Sequence, residues 1–158
     1  MSVVYTARVT THNEGPELSR FAWGAWRLAE AEYAADPGFI AQMAEALIDL
    51  GVTTIDHADI YGGYTCEALF GAALRHKPDL RDKIELVTKT GIALLSAERP
   101  DHYVKHYDTS RAHILSSIDR SLSNLSTDFV DLLLIHRPDP LMDANETADA
   151  LSTGHKPD

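Results

Sequence analysis

The chain has 158 residues, which suits one domain with a sizeable core. Its formal net charge of −10 disfavours nucleic acid or an anionic membrane as a partner. The single cysteine, Cys66, excludes an internal disulfide, and no apolar run approaches the roughly 18–20 residues that cross a bilayer. The first residues also lack the pattern of a signal peptide, so the sequence predicts a cytoplasmic protein.

Predicted strands and helices alternate along the first part of the chain. Residues 3–10 alternate in polarity and indicate a short strand or hairpin arm, and residues 12–16 have the composition of a turn. Residues 21–24 predict a short buried strand. Asp36 suits the N-cap of a following helix with Pro37 in its first turn, and Gly51 follows its last turn.

The same alternation continues to the end of the chain. The predicted segments are a strand over 53–56, a helix over 65–74, a strand over 84–88, a long loop over 91–108, a helix over 110–125, a strand over 129–135 and a helix that begins at 143 and reaches 151. The strand over 129–135 is nearly continuous in apolar residues, which is typical of a parallel strand covered on both faces.

Strands that alternate with helices predict a parallel sheet, as a doubly wound open sheet or a TIM barrel. Both folds place function at the carboxyl ends of the strands. A dinucleotide-binding open sheet has a glycine-rich turn after its first strand, whereas this chain has Trp23-Gly24-Ala25-Trp26 without the G-x-G-x-x-G spacing. The absence of this glycine spacing favours the TIM barrel over the open sheet.

Three predicted strands each run into a chemically active residue. The strand over 53–56 ends at Asp56, with Tyr61 just beyond it, and the next two strands run into Lys89 and His136. A phenol is a weak acid, with a pKa near ~10, and a lysine cation beside it makes it a better proton donor. Each of the four residues alone has an ordinary structural explanation, such as a turn, packing or a solvated charge. Their joint placement predicts acid catalysis on a carbonyl, with hydride from a cofactor.

Two other clusters give weaker signals of a metal site. Asp56, His57 and Asp59 are too close on an extended segment to share one face. His102 and His106 have i,i+4 spacing but lie outside any predicted helix. We therefore predict no metal site.

Four stretches of sequence resemble the aldo-keto reductase family, and in particular a bacterial subfamily of oxidoreductases. The run from Gly51 to Gly71, which includes Asp56-His-Ala-Asp-Ile-Tyr61-Gly-Gly, resembles the family signature. Residues 86–89 (Leu-Val-Thr-Lys) resemble its lysine strand, and residues 132–139 (Leu-Leu-Leu-Ile-His-Arg-Pro-Asp) resemble its histidine strand. Residues 21–26 resemble its first strand with the Gly-x-Trp turn.

The resemblance implies a (β/α)8 barrel that uses NADPH to reduce aldehydes and ketones, with a small-molecule carbonyl compound as substrate. It implies Tyr61 as the acid, Lys89 and Asp56 as its partners, and His136 as the residue that orients the substrate. Gly24, Ala25 and Trp26 would lie beside the nicotinamide or the substrate, and Asp56 would also touch the nicotinamide ribose. Ala25 stands where many members carry a hydroxyl residue.

The resemblance covers residues from about 15 to 151, or about four of eight βα units, whereas a TIM barrel typically needs about 250 residues. The expectation is that residues 1–158 form the truncated N-terminal half of such a barrel. The exposed edge of its last strand would then favour a homo-oligomer. Activity of this chain alone stays open. The alternatives are an inactive remnant, a self-associating half-barrel and a cofactor-sensing regulatory subunit.

Overall fold

The computed structural model describes residues 7–154. Its strands, in chain order, are β1 (Arg8–Thr10), β2 (Glu17–Ser19), β3 (Ala22–Gly24), β4 (Thr54–Asp56), β5 (Glu85–Thr90), β6 (Ile92–Ala93), β7 (His106–Tyr107) and β8 (Leu132–Ile135). Its α-helices are α1 (Pro37–Asp49), α2 (Cys66–His76), α3 (Arg111–Leu125) and α4 (Ala144–Gly154). Three 3₁₀ helices cover Ala25–Glu30, Tyr61–Gly63 and Pro78–Lys83.

A four-stranded parallel sheet, in the order β3-β4-β5-β8, forms the centre of the fold. A helix follows each of its strands, and α1 to α4 pack side by side in chain order. The core between the sheet and the helices includes Ile55, Leu86, Phe70 and Leu125, all of them fully buried. This alternating pattern confirms the predicted half of an α/β barrel, with β1 and β2 as an antiparallel hairpin outside the sheet.

The boundaries of the first long helix follow from its local sequence. The Asp36 carboxylate accepts hydrogen bonds from the backbone N–H groups of Gly38 at 2.9 Å and Phe39 at 3.1 Å. Pro37 occupies the first helical position, where a missing N–H costs nothing. Gly51 then leaves the helix with a φ of 75°, which favours glycine. These contacts confirm the predicted start and end of α1.

The last strand is held to the sheet by an ion pair at its amino end. The Asp131 carboxylate accepts a hydrogen bond from the Leu86 backbone N–H at 2.8 Å and from the Arg81 guanidinium at 2.9 Å. Arg81 also lies over the Phe129 ring, with its central carbon 4.0 Å from the ring centroid. Side-chain contacts therefore fix the approach to β8, in addition to the backbone bonds of the sheet.

Four sequence predictions need correction. The strand over 21–24 is not buried, because β3 lies at the edge of the sheet. The strand over 129–135 shortens to β8, and none of its four apolar residues is buried. The strand over 84–88 extends to Thr90 and thus includes Lys89. The loop over 91–108 contains the paired strands β6 and β7.

Part of the predicted strand over 3–10 lies outside the described residues, while residues 8–10 form β1. Among residues 7–154, no helix is both long and apolar enough to cross a membrane.

Candidate active site

Neighbouring strands bring the predicted catalytic residues together. Asp56 is the last residue of β4, Lys89 is the last but one of β5, and His136 directly follows β8. The order β4-β5-β8 places the carboxyl ends of these strands side by side. Tyr61 starts the 3₁₀ turn that follows β4. The four residues that the sequence singled out therefore meet at one edge of the sheet.

Lys89 is the centre of this arrangement. Its ammonium group donates to the Asp56 carboxylate at 2.7 Å, to the His57 carbonyl oxygen at 2.8 Å and to the Tyr61 hydroxyl oxygen at 3.1 Å. The Lys89 side chain is only 14% exposed, so its charge is screened less than that of a surface lysine. A positive charge is thus held against the phenol oxygen of Tyr61 by a carboxylate and a backbone carbonyl.

The segment that supplies these partners is fixed to β5 by backbone hydrogen bonds. The His57 N–H donates to the Val87 carbonyl at 2.7 Å, and the Asp59 N–H donates to the Lys89 carbonyl at 3.1 Å. Gly62 then turns the chain with a φ of 60°, and a Cβ there would lie 2.7 Å from the Cys66 sulfur. Glycine is therefore favoured in the turn that directly follows Tyr61.

His136 completes the group on the far side of Tyr61. The two rings meet edge to face, with their centroids 5.9 Å apart and an interplanar angle of 82°. Burial lowers the pKa of His136, and the positive charges of Lys89 and Arg137 lower it further, against the opposite effect of Asp56. The imidazole is therefore neutral at pH 7 and keeps a ring N–H for donation. Its Nδ1 is buried and has no hydrogen-bond partner among the residues that the structure describes.

The predicted cofactor residues lie at the carboxyl end of the neighbouring strand. Gly24 pairs with Asp56 across β3 and β4, and Ala25 behind it is fully buried. Trp26 is 66% exposed. Apart from Gly24 itself and its two neighbours in the chain, no described residue has an atom within 4 Å of where a Cβ on Gly24 would be, so the space beside the strand end is open. Their role in cofactor binding stays a prediction.

A group of polar side chains is buried behind the site, and the sequence did not predict their burial. His57 is fully buried, and burial, assisted by Lys89, lowers its pKa to about 3. Asp59 is 7% exposed and accepts a hydrogen bond from the Ser117 hydroxyl at 2.8 Å. Glu67 is 1% exposed and accepts one from Thr88 at 2.7 Å. The closely spaced His57 and Asp59, which we considered as metal ligands, were the one signal of this group in the sequence.

The part of the chain that the structure describes contains no group of three or more metal-ligating side chains that could hold an ion. Cys66 is also buried, and burial raises the pKa of its thiol, so this side chain packs.

Comparison with known proteins identifies the family of the chain. The sequence model of the Aldo/keto reductase family matches residues 20–156, and the chain belongs to this family. It is 52% identical over 149 residues to the oxidoreductase YdhF of Escherichia coli, and the aligned region covers 94% of this chain and 49% of YdhF. It is 51% identical over 135 residues to a 6-dehydroglucose reductase of Agrobacterium fabrum, which covers 85% of this chain and 45% of that protein.

Solved structures show the same fold. Aldo-keto reductase AKR11C1 from Bacillus halodurans, in its holo form, superposes with a TM-score of 0.74 at 23% identity, over 94% of this chain and 46% of that one. The glycerol dehydrogenase AKR11B4 from Gluconobacter oxydans gives 0.73 at 27% identity, over 92% and 44%. The chain therefore spans about half the length of the proteins it matches, and its fold is half of their TIM barrel.

Proposed function

We propose that this chain carries the acid-catalytic half of an NADPH-dependent reductase of aldehydes and ketones, with Tyr61 as the proton donor. The observation that supports this most directly is the contact of the Lys89 ammonium with the Tyr61 hydroxyl, at 3.1 Å, while Lys89 is ion-paired with Asp56 at 2.7 Å. Two relatives are named 6-dehydroglucose reductase, which is consistent with carbonyl reduction.

Proton transfer from Tyr61 is the step that these contacts assist. As the phenol gives up its proton to the carbonyl oxygen, negative charge develops on the phenol oxygen, and the adjacent Lys89 cation stabilises it. Asp56 and the His57 carbonyl hold the ammonium in place. The charge is therefore positioned before the reaction starts, which avoids the cost of reorganising it.

His136 has a separate role in this proposal. Its neutral imidazole can donate a hydrogen bond to the substrate oxygen, and its edge-to-face contact with Tyr61 keeps the two side chains next to each other. A carbonyl oxygen held there would accept hydrogen bonds from both. His136 thus orients the substrate while Tyr61 supplies the proton.

Gly24, Ala25, Trp26 and Asp56 are the residues of this chain that we assign to the nicotinamide end of the cofactor. The open space beside Gly24 and the exposed ring of Trp26 are compatible with a flat ring stacked at the strand end. When bound, NADPH supplies the hydride that no side chain can provide. The family usually takes NADPH, and this choice rests on that likeness.

The open edge at β8 supports a second proposal, that the 158-residue chain associates with another copy. All four residues of β8 are apolar and none is buried, whereas β5 next to it buries four of its six residues. Leu141 and Met142 just beyond β8 are also exposed. β8 pairs with β5 on one side only among the described strands, and an apolar strand with an open edge is a template for pairing with a further strand. We expect the protein, alone or paired, in the cytoplasm.

Cofactor binding can be tested with the purified chain by fluorescence. Trp26 is exposed at the site and Trp23 is packed near Phe70, with ring centroids 6.5 Å apart. NADPH should quench the emission of the wild-type chain, and Trp26→Phe should remove most of the quench while Trp23 still reports the fold. Wild-type emission that NADPH leaves unchanged would refute the cofactor part of the proposal for this chain.

A further inference from the structure

All three hydrogen-bond partners of the Lys89 ammonium, two side chains and one backbone carbonyl, come from one short segment, residues 56–61. They are the Asp56 carboxylate, the His57 carbonyl oxygen and the Tyr61 hydroxyl. The geometry at Lys89 therefore depends on how firmly this segment is held. Asp59 lies in its middle and touches none of the reacting groups.

Asp59 anchors the segment on both sides. Its backbone N–H donates to the Lys89 carbonyl at 3.1 Å, which ties the segment to β5. Its side chain accepts a hydrogen bond from the Ser117 hydroxyl at 2.8 Å, which ties it to α3. Ser117 is 1% exposed, so water competes little for this bond. The Asp59–Ser117 contact is thus a link between the catalytic segment and the helix behind the sheet.

The surroundings of Asp59 disfavour its ionised form. Burial raises the pKa of Asp59 to about 7, and the negative charge of Glu67 on α2 acts in the same direction. The Ser117 hydrogen bond, the Ile60 backbone N–H and the more distant Arg120 on α3 act in the opposite direction. Tyr64 also faces this carboxyl, and its own pKa is raised by burial and by Asp59. The second carboxyl oxygen, Oδ1, is buried without a partner among residues 7–154.

We propose that Asp59 is a positioning residue, whose bond to Ser117 holds residues 56–61 so that the Tyr61 hydroxyl and the His57 carbonyl stay on the Lys89 ammonium. The proposal takes its functional meaning from the proposed carbonyl reduction, but it concerns a geometry that exists without substrate. Any change at Asp59 should therefore be felt at Lys89, even though the Asp59 carboxyl contacts no part of the lysine side chain.

The test observes Lys89 directly. In protein labelled with ¹³C at lysine Cε, the Lys89 signal is identified by its loss in Lys89→Met. In the wild-type chain, this signal should shift with an inflection near pH 7, where Asp59 titrates, besides a lower one from His136. Asp59→Asn should abolish the upper inflection and keep the lower one. Retention of the upper inflection in folded Asp59→Asn would overturn the proposal.

Two further variants test whether the upper inflection depends on the Asp59–Ser117 bond. Ser117→Ala removes one hydroxyl and leaves Asp59 in place, and loss of that bond should move the upper inflection to higher pH by ~0.5–1 unit. Glu67→Gln is the matched control, because it alters a neighbouring buried carboxyl that accepts a hydrogen bond from Thr88 and leaves the Asp59–Ser117 bond in place. It should keep the upper inflection but shift it to lower pH, because the negative charge of Glu67 raises the pKa of Asp59. If Asp59→Asn fails to fold, an unmoved inflection in Ser117→Ala would overturn the proposal by itself.

These readouts separate the inference from the proposed function. A Lys89 signal that follows Asp59 in a chain without reductase activity would support the positioning role and refute only the function. A chain that reduces carbonyls with the same pH profile in Ser117→Ala, which lacks the bond to Asp59, as in wild type would support the function and refute the positioning role.

Discussion

The buried His57 makes a strong prediction about stability and pH. Its imidazole is fully buried, and neither ring nitrogen has a hydrogen-bond partner among the described residues. In the folded chain its pKa is lowered from 6.5 to about 3. Folding therefore favours the neutral ring, and this contribution to stability is complete above pH 6.5 and is lost as the pH falls towards 3.

At 1.36 kcal/mol for each pH unit, the loss between pH 6.5 and 3 is about 5 kcal/mol, which is as large as the whole stability of many domains. His57→Leu keeps a similar volume and cannot titrate. Relative to the wild type, its free energy of unfolding should stay constant above pH 6.5 and rise by about 1.4 kcal/mol per unit below it. It should also be at least as stable at pH 7, because two unpartnered polar atoms are removed.

Urea denaturation followed by far-UV circular dichroism, from pH 4 to pH 8, measures this difference. Comparing variant and wild type at each pH cancels the opposite effect of Asp59, whose raised pKa makes the protein less stable as the pH rises from about 4 to 7. His76→Leu, at an exposed position, controls for loss of a histidine as such. A difference between His57→Leu and wild type that does not change with pH would show that the pKa of His57 is not lowered by folding.

Three other predictions concern the stability of the fold and its self-association. Gly71→Ala should destabilise the chain by roughly 1–3 kcal/mol in urea denaturation, because the new Cβ would meet the Asn124 carbonyl oxygen at 1.9 Å. Gly154→Ala should cost less, because its Cβ meets only the flexible end of a side chain. Equal destabilisation by the two variants would contradict this prediction. Asp131→Ala should cost about 2 kcal/mol by the same assay, and an unchanged midpoint would refute the role of its hydrogen bonds. Leu134→Lys, on β8, should turn a dimer into a monomer in light scattering, and a wild type that is already monomeric would refute self-association.

The residues of the site could be predicted because their placement follows from a simple rule. Parallel strands in one sheet end at the same edge, so Asp56, Lys89 and His136 had to converge once the strands were recognised. The start of α1 was equally accessible, since Asp36 and its bonds involve only neighbouring residues. Local sequence determines both features.

The errors concern features that depend on distant parts of the chain. Residues 129–135 are apolar enough for a buried strand, but their burial requires neighbours on both sides, and β8 has one among the described strands. The burial of Asp59 likewise depends on Ser117, which lies 58 positions away. No neighbouring residue predicts that burial, and the packing of α3 explains a buried carboxyl there.

The central claim is that Tyr61 donates the proton in a carbonyl reduction. The most direct measurement is the aldehyde-dependent loss of NADPH absorbance with the purified chain, compared with Tyr61→Phe, which keeps the ring and removes the hydroxyl that Lys89 contacts. We expect measurable turnover by the wild type and a decrease of about 10²–10⁴-fold in kcat for the variant, with NADPH binding retained. Equal turnover by the two proteins, or none by the wild type with a broad set of aldehydes, would contradict it.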